Sequence, residues 1–101
     1  MIKNINVDAN NTNFSSNNGI VFSKDKKKIV LYPQGKTEKA YTIPSTVEEI
    51  CDSAFSYAQV ESITISKSVK KFGNYVFSST NIKSITIPST VTEMGYGPVA
   101  R

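Results

Sequence analysis

The sequence predicts a mostly β solenoid: stacked 22-residue coils with short parallel strands and short helical turns, and a β-hairpin on the N-terminal side. Three observations carry that prediction. First, Ile43-Pro44-Ser45-Thr46-Val47 returns unchanged as Ile87-Pro88-Ser89-Thr90-Val91, with Ile65-Ser66-Lys67-Ser68-Val69 as a looser copy midway. The copies start at 43, 65 and 87, so the spacing is 65−43 = 22 and 87−65 = 22. A fixed period in the twenties marks a solenoid coil. Second, columns at this period stay apolar while changing identity: Val47–Val69–Val91, Ile50–Phe72–Met94, Phe55–Phe77, Val60–Ile82 and Ile63–Ile85. One coil cannot bury its own apolar face, so stacked coils must fill such columns in layers. Third, the β-branched runs Ile20-Val21-Phe22 and Ile29-Val30-Leu31 flank a wholly polar stretch, which reads as a hairpin with a charged tip.

In chain order, residues 1–101 form one domain, a length near the lower end of what holds a core alone. Residues 1–19 read as a partial N-terminal coil, with Asn4-Ile5-Asn6-Val7-Asp8 as its strand and the Asn-rich stretches around 10–13 and 17–19 as turns. Asn10 and Asn13 each head an Asn-x-Ser/Thr triplet, read here as loop. Residues 20–39 are the hairpin insert, which breaks the 22-residue rule and must protrude from the stack or cover one end. Residues 40–101 are the repeat coils, the last incomplete: Gly97-Pro98 halts it, and only Val99 stands where Phe77 stood one coil earlier. Asp52 and Asn74 share a column and suit caps on single helical turns. Cys51, Gly73 and Gly95 share another, which places Cys51 as a small residue in a tight turn.

The unit Ile-x-Ile-Pro-x-x-Val-x-x-Ile-small-x-x-Ala-Phe resembles the BspA-type leucine-rich repeat, an α/β-type repeat solenoid. Ser62-Ile63-Thr64-Ile65 and Ser84-Ile85-Thr86-Ile87 match its strand segment, and Val47 to Phe55 its return segment. Ser66 departs from the pattern where Pro44 and Pro88 keep it, and the cysteine usual near Ala58 and Thr80 is absent. The resemblance implies a secreted or cell-surface protein that works in adhesion and in binding host or matrix proteins. Met1-Ile2-Lys3-Asn4 opens no signal peptide, so on this reading an export signal would belong to a longer parent.

Chemistry is excluded more firmly than it is suggested. The chain has no histidine, so the commonest general base and metal ligand is missing. Cys51 is the only thiol and has no imidazole to activate it. No phosphate-binding glycine loop occurs. The expectation is no enzyme, no cofactor and no metal. No apolar run approaches the ~18 residues of a membrane span. The net charge of +4 gathers in two clusters, Lys24, Lys26, Lys27 and Lys28, and Lys67, Lys70, Lys71 and Lys83. Nucleic-acid binding is disfavoured, since the single arginine is Arg101 and aromatic readers are not interleaved with the lysines. A structural reading is preferred for the second cluster. Glu49, Lys71 and Glu93 fall 22 apart and form a column of alternating sign, with Glu48 beside Lys70.

Two surfaces are expected to matter. Strand alternation turns Ile63 and Ile65 inward, leaving Thr42, Ser62, Thr64, Ser84 and Thr86 on a flat, hydroxyl-lined sheet face. That face is the candidate site for a protein or glycan partner; the competing reading is a structural spacer or capping segment of a longer array. The second surface is the last strand, Ser84, Ile85, Thr86 and Ile87, whose outer edge is expected to be unpaired and to recruit a second copy.

Overall fold

The computed structural model describes residues 1–97. Among the described residues eight short strands form two sheets. The larger sheet has six: β1 (Phe14–Asn17), β2 (Ile20–Ser23), β3 (Lys28–Leu31), β5 (Glu49–Ile50), β7 (Lys71–Phe72) and β8 (Glu93–Met94), in that order. The smaller pairs β4 (Ala40–Thr42) with β6 (Ser62–Thr64). The first two coils each contribute a strand to one side of the solenoid and a strand to the other, and the third contributes β8 alone.

The 22-residue period sets the register directly. Glu49 lies opposite Lys71 and Lys71 opposite Glu93, while Ile50, Phe72 and Met94 follow one another in parallel pairing. On the other side Ala40, Tyr41 and Thr42 face Ser62, Ile63 and Thr64. The predicted apolar columns line the interior. Val47, Ile50, Phe55, Val60, Val69 and Phe72 are fully buried. Aromatic rings run through the layers: Tyr32 stacks on Phe55 at 5.0 Å, Phe55 meets Phe77 at 5.5 Å, and Phe77 meets Phe72 edge-on at 5.9 Å.

The hairpin covers an end of the stack. β2 and β3 pair antiparallel, and β3 then pairs parallel with β5, so an antiparallel meander closes the sheet before the first coil. Its tip is built by Asp25, whose carboxylate accepts from Ser23 Oγ at 2.7 Å and from the Lys27 amide at 3.1 Å. Those hydrogen bonds hold the Asp25 carboxyl below its ordinary value. The strand expected for a partial N-terminal coil is not the one that forms. No strand forms over residues 4–8; Ile5 N–H instead donates to Gly19 and Val7 N–H to Ser16 Oγ. The strand is β1, and it joins β2 through the Asn18-Gly19 turn, both residues of which have positive φ. Asn-Gly is the favoured pair for such two-residue hairpin loops.

The short helical turns are also revised. No helix occurs among the described residues; 52–57 and 74–79 are runs of turns. Ala54, Ser56 and Ala58 donate to carbonyls three residues back, within the coil. Ser53, Phe55 and Tyr57 donate instead to Asn74, Val76 and Ser78 of the next coil. Alternate amides thus go to local and inter-coil acceptors. A helix would keep all of them within its own segment. Ser53, Tyr57, Tyr75 and Ser79 take positive φ, which breaks each segment before a helix can propagate.

The Asx column has a different job from the one expected. Asp52 Oδ1 accepts from the Asn74 amide at 2.7 Å, and Asn74 Oδ1 accepts from the Tyr96 amide at 2.8 Å, each 22 residues on. These side chains cap the following coil and not their own turn. The carboxamide or carboxylate therefore lies over the residue before the capped amide. A Cβ at Gly73 would stand 2.7 Å from the Asp52 backbone nitrogen, and one at Gly95 would stand 2.8 Å from the Gly73 carbonyl carbon. Position 51 can carry a side chain because the β3–β5 register, Ile29 opposite Ile50, puts Leu31 ahead of Asp52 in that column, and leucine extends no such acceptor.

Candidate functional site

The strand side presents the predicted hydroxyls where alternation requires. Thr42, Ser62 and Thr64 are exposed, while Ile63 and Ile65 turn inward and are buried. Tyr41 is half-buried between those positions, its ring 5.2 Å from Tyr32, and burial together with the neighbouring Tyr32 pushes its hydroxyl up to about 12. Ser84 and Thr86 are exposed as well, but they do not extend the sheet. Ser84, Ile85, Thr86 and Ile87, expected to be the final strand, form no strand. Among the described residues no backbone hydrogen bond joins them to Ser62–Ile65.

A groove of about 420 Å³ lies between the two segments, lined by Ser62, Thr64, Ile65, Lys67, Thr86 and Pro88 among others. The strand-side edge of the sheet is therefore β6, one coil earlier than the sequence placed it. The cause is unequal anchoring. The last coil is tied on its other side by β7–β8 pairing and by Thr90 Oγ1 donating to Val69 at 2.8 Å. On the strand side it holds only the half-buried Ile82, Ile85, Ile87 and Val91. Val99, expected over Phe77, lies outside the described residues.

The second lysine cluster separates in space. Lys71 stands in the charge column between Glu49 and Glu93, and the hairpin extends that column by one: Lys28 pairs with Glu49, Nζ to Oε1 at 3.8 Å. Lys67 and Lys83 instead border the strand-side grooves. Glu61, at the Lys83 end, is held by Lys39 at 3.4 Å. The separation was not foreseeable from spacing, since Ser62-Ile63-Thr64-Ile65 and Ser84-Ile85-Thr86-Ile87 are the same four letters. Lys24, in the first cluster, donates to the Ala9 carbonyl at 2.9 Å and ties the hairpin tip to the preceding loop.

Cys51 is half-buried, and its thiol is pushed up by burial and then by Glu49. A raised thiol is a poor nucleophile at neutral pH. Among the described residues no group of three His, Cys, Asp or Glu side chains is placed to hold a metal ion, and no helix is long and apolar enough to cross a membrane.

Parallel strands on both sides of a 22-residue coil, with an outward hydroxyl face, define a leucine-rich-repeat module. The chain belongs to the BspA-type leucine-rich repeat family, whose profile (BspA type Leucine rich repeat region, six copies) matches residues 31–98. Among solved structures it is similar to a leucine-rich repeat protein from Eubacterium ventriosum, with 32% identity and a TM-score of 0.86 over 93% of this chain and 26% of that one. It is also similar in fold to the pneumococcal vaccine antigen PcpA, with 21% identity and a TM-score of 0.83 over 92% of this chain and 29% of that one. The chain thus spans between a quarter and a third of the length of these proteins. No curated protein matches the sequence.

Proposed function

We propose that the chain is a non-catalytic interaction and adhesion module of a surface or secreted repeat protein, receiving a protein or glycan partner on its strand side. The observation that carries this reading is the row of exposed Thr42, Ser62 and Thr64 on β4–β6, flanked by Ser84 and Thr86 across the groove. A flat face of small hydroxyl side chains offers hydrogen-bonding groups with little side-chain entropy to lose on contact. Solenoids characteristically present such extended surfaces for recognition. On this reading residues 1–101 act as one unit, in which 1–39 seal the stack and the coils from 40 onward present the face. The alternative, a spacer or capping segment, draws support from the meander that closes the sheet ahead of β5. The two part on Thr64→Lys. With purified extracellular-matrix proteins and glycans immobilised, a binding module loses retention on this change while its circular dichroism and melting stay normal. A spacer shows no retention to lose, and that outcome rejects the interaction reading.

A further inference from the structure

We propose that the groove between β6 and Ser84–Pro88 takes up an extended acidic peptide segment, which pairs as an added strand with the free edge of β6. The proposal rests on the strand side being the interaction surface and specifies how that surface engages. Ser62 N–H donates to Lys39 at 3.1 Å and Ile43 N–H donates to Thr64 at 2.9 Å, so the even-numbered residues of β6 point their backbone groups at β4. In a parallel ladder the intervening residues point the other way. The N–H and C=O groups of Ile63 and Ile65 therefore face the groove, and among the described residues they have no backbone partner there. An edge of this kind is a template for another strand. Recognition by strand addition draws affinity from main-chain hydrogen bonds and specificity from the flanking side chains.

The flanking side chains give the occupant its charge. Lys67 lines the groove at the Ile65 end, and Lys83 borders the opening at the Ser84 end. Among the described residues neither lies within ion-pair distance of a carboxylate, and the one acid at that opening, Glu61, is engaged by Lys39. A strand with an acidic residue near each end would meet a lysine at both. Its inward side chains would lie against the half-buried Ile85 and its outward ones would continue the hydroxyl face.

The test uses fluorescence anisotropy with a labelled peptide, Glu-Ser-Ile-Thr-Ile-Glu, its lysine-ended twin, and a twin methylated on the isoleucine amide nitrogens. The acidic peptide should bind at least tenfold more tightly than the lysine-ended one at low salt, with the gap narrowing as salt rises. Backbone methylation should abolish binding. A Lys67→Glu/Lys83→Glu double variant, shown by circular dichroism to be folded, should reverse the charge preference. Equal binding of all three peptides, or of none, overturns the proposal. So does spontaneous bridging of a Thr64→Cys/Thr86→Cys pair in the peptide-free protein, which would mean that the chain's own Ser84–Ile87 closes the groove. Concentration-dependent dimerisation that the peptide blocks would assign the edge to a second copy, and would overturn it as well. If the peptides fail while Thr64→Lys still abolishes retention of a whole partner, the groove mode falls and the wider reading stands. Failure of both rejects both.

Discussion

The two sides of this solenoid are built from the same coils, yet they end differently. On the β5–β7–β8 side each coil is tied to the next by backbone pairing, by the Asp52–Asn74–Tyr96 staircase, and by a column of alternating charge. On the β4–β6 side the second and third coils share apolar contact but no backbone pairing, although the third repeats the strand sequence of the second. Hydrophobic periodicity alone brings coils together. Directional groups at fixed spacing decide whether they lock.

The largest test of that contrast is in the core. Phe72 is fully buried and packs edge-on against Phe77, so Phe72→Ala should cost about 3–5 kcal/mol, the usual range for a buried aromatic. Ile85 is only half-buried beside the groove, and Ile85→Ala should cost on the order of 1 kcal/mol, well below the ~2–5 kcal/mol of a fully buried isoleucine. Urea denaturation of both variants and of Ile63→Ala decides the matter. If Ile85→Ala costs as much as Ile63→Ala, the strand side of the last coil is as tightly held as the rest.

The staircase comes next. Gly73→Ala drives a Cβ into the Asp52 backbone, which cannot yield as a flexible side chain would, and should cost about 1–3 kcal/mol. Cys51→Gly, in the same column but with no acceptor lying over it, should cost only the ~0.5–1 kcal/mol of added chain entropy. Melting curves that rank the two in the opposite order would show that the Asx side chains are not what shapes this column.

How much of this was legible follows from the same distinction. The 22-residue period placed the buried columns and the register of both ladders, because side-chain burial repeats with the backbone. It showed the Asx and glycine columns as columns but not their joint function, since the acceptor and the amide it caps are 22 residues apart. β1 was missed because Phe14-Ser15-Ser16-Asn17 has one apolar residue; the Asn18-Gly19 pair between it and β2 was the available signal. Asp52-Ser53-Ala54-Phe55 looks like a capped helical turn in the sequence, whereas the demand of the next coil for every second amide leaves no trace in local sequence. The groove was invisible, because identical letters at 62–65 and 84–87 carry no information about how firmly each is anchored.

A smaller effect probes the strand side by pH. Tyr41 ionises near 10 in an unfolded chain and at about 12 in the fold, because burial disfavours the phenolate. Its contribution to stability is complete below about pH 10 and declines as pH rises from there toward about 12. The side chain is only half-buried, so the loss should stay on the order of 1 kcal/mol. Tyr41→Phe should flatten that part of the alkaline stability curve. An unchanged curve would place the alkaline loss elsewhere, with Tyr32, which burial also raises, as the next residue to replace.

The smallest effect concerns charge. Lys71 stands opposite Glu49 on one strand and Glu93 on the other, and Lys28 extends the alternation through its 3.8 Å contact with Glu49. Lys71→Glu would set three carboxylates in consecutive rungs about 4.8 Å apart. Exposed pairs contribute roughly 0.2–1 kcal/mol each, and like charges directly opposite across strands are destabilising. Lys71→Glu should therefore lower the melting temperature by a few degrees, whereas Lys83→Glu, outside the column, should leave it nearly unchanged. The difference should shrink in high salt, because exposed charges are screened within about 10 Å at 0.1 M ionic strength. Combining Lys71→Glu with Glu49→Lys restores one rung and breaks another: position 71 regains an opposite neighbour at 49 but keeps a like one at 93, and Lys28 now faces a lysine. Each variant then has one opposite-charge rung and two like ones, so the double variant should recover little of the loss. Full recovery would mean that the 49–71 rung acts alone, and equal melting of Lys71→Glu and Lys83→Glu would mean that the column does not set register at all.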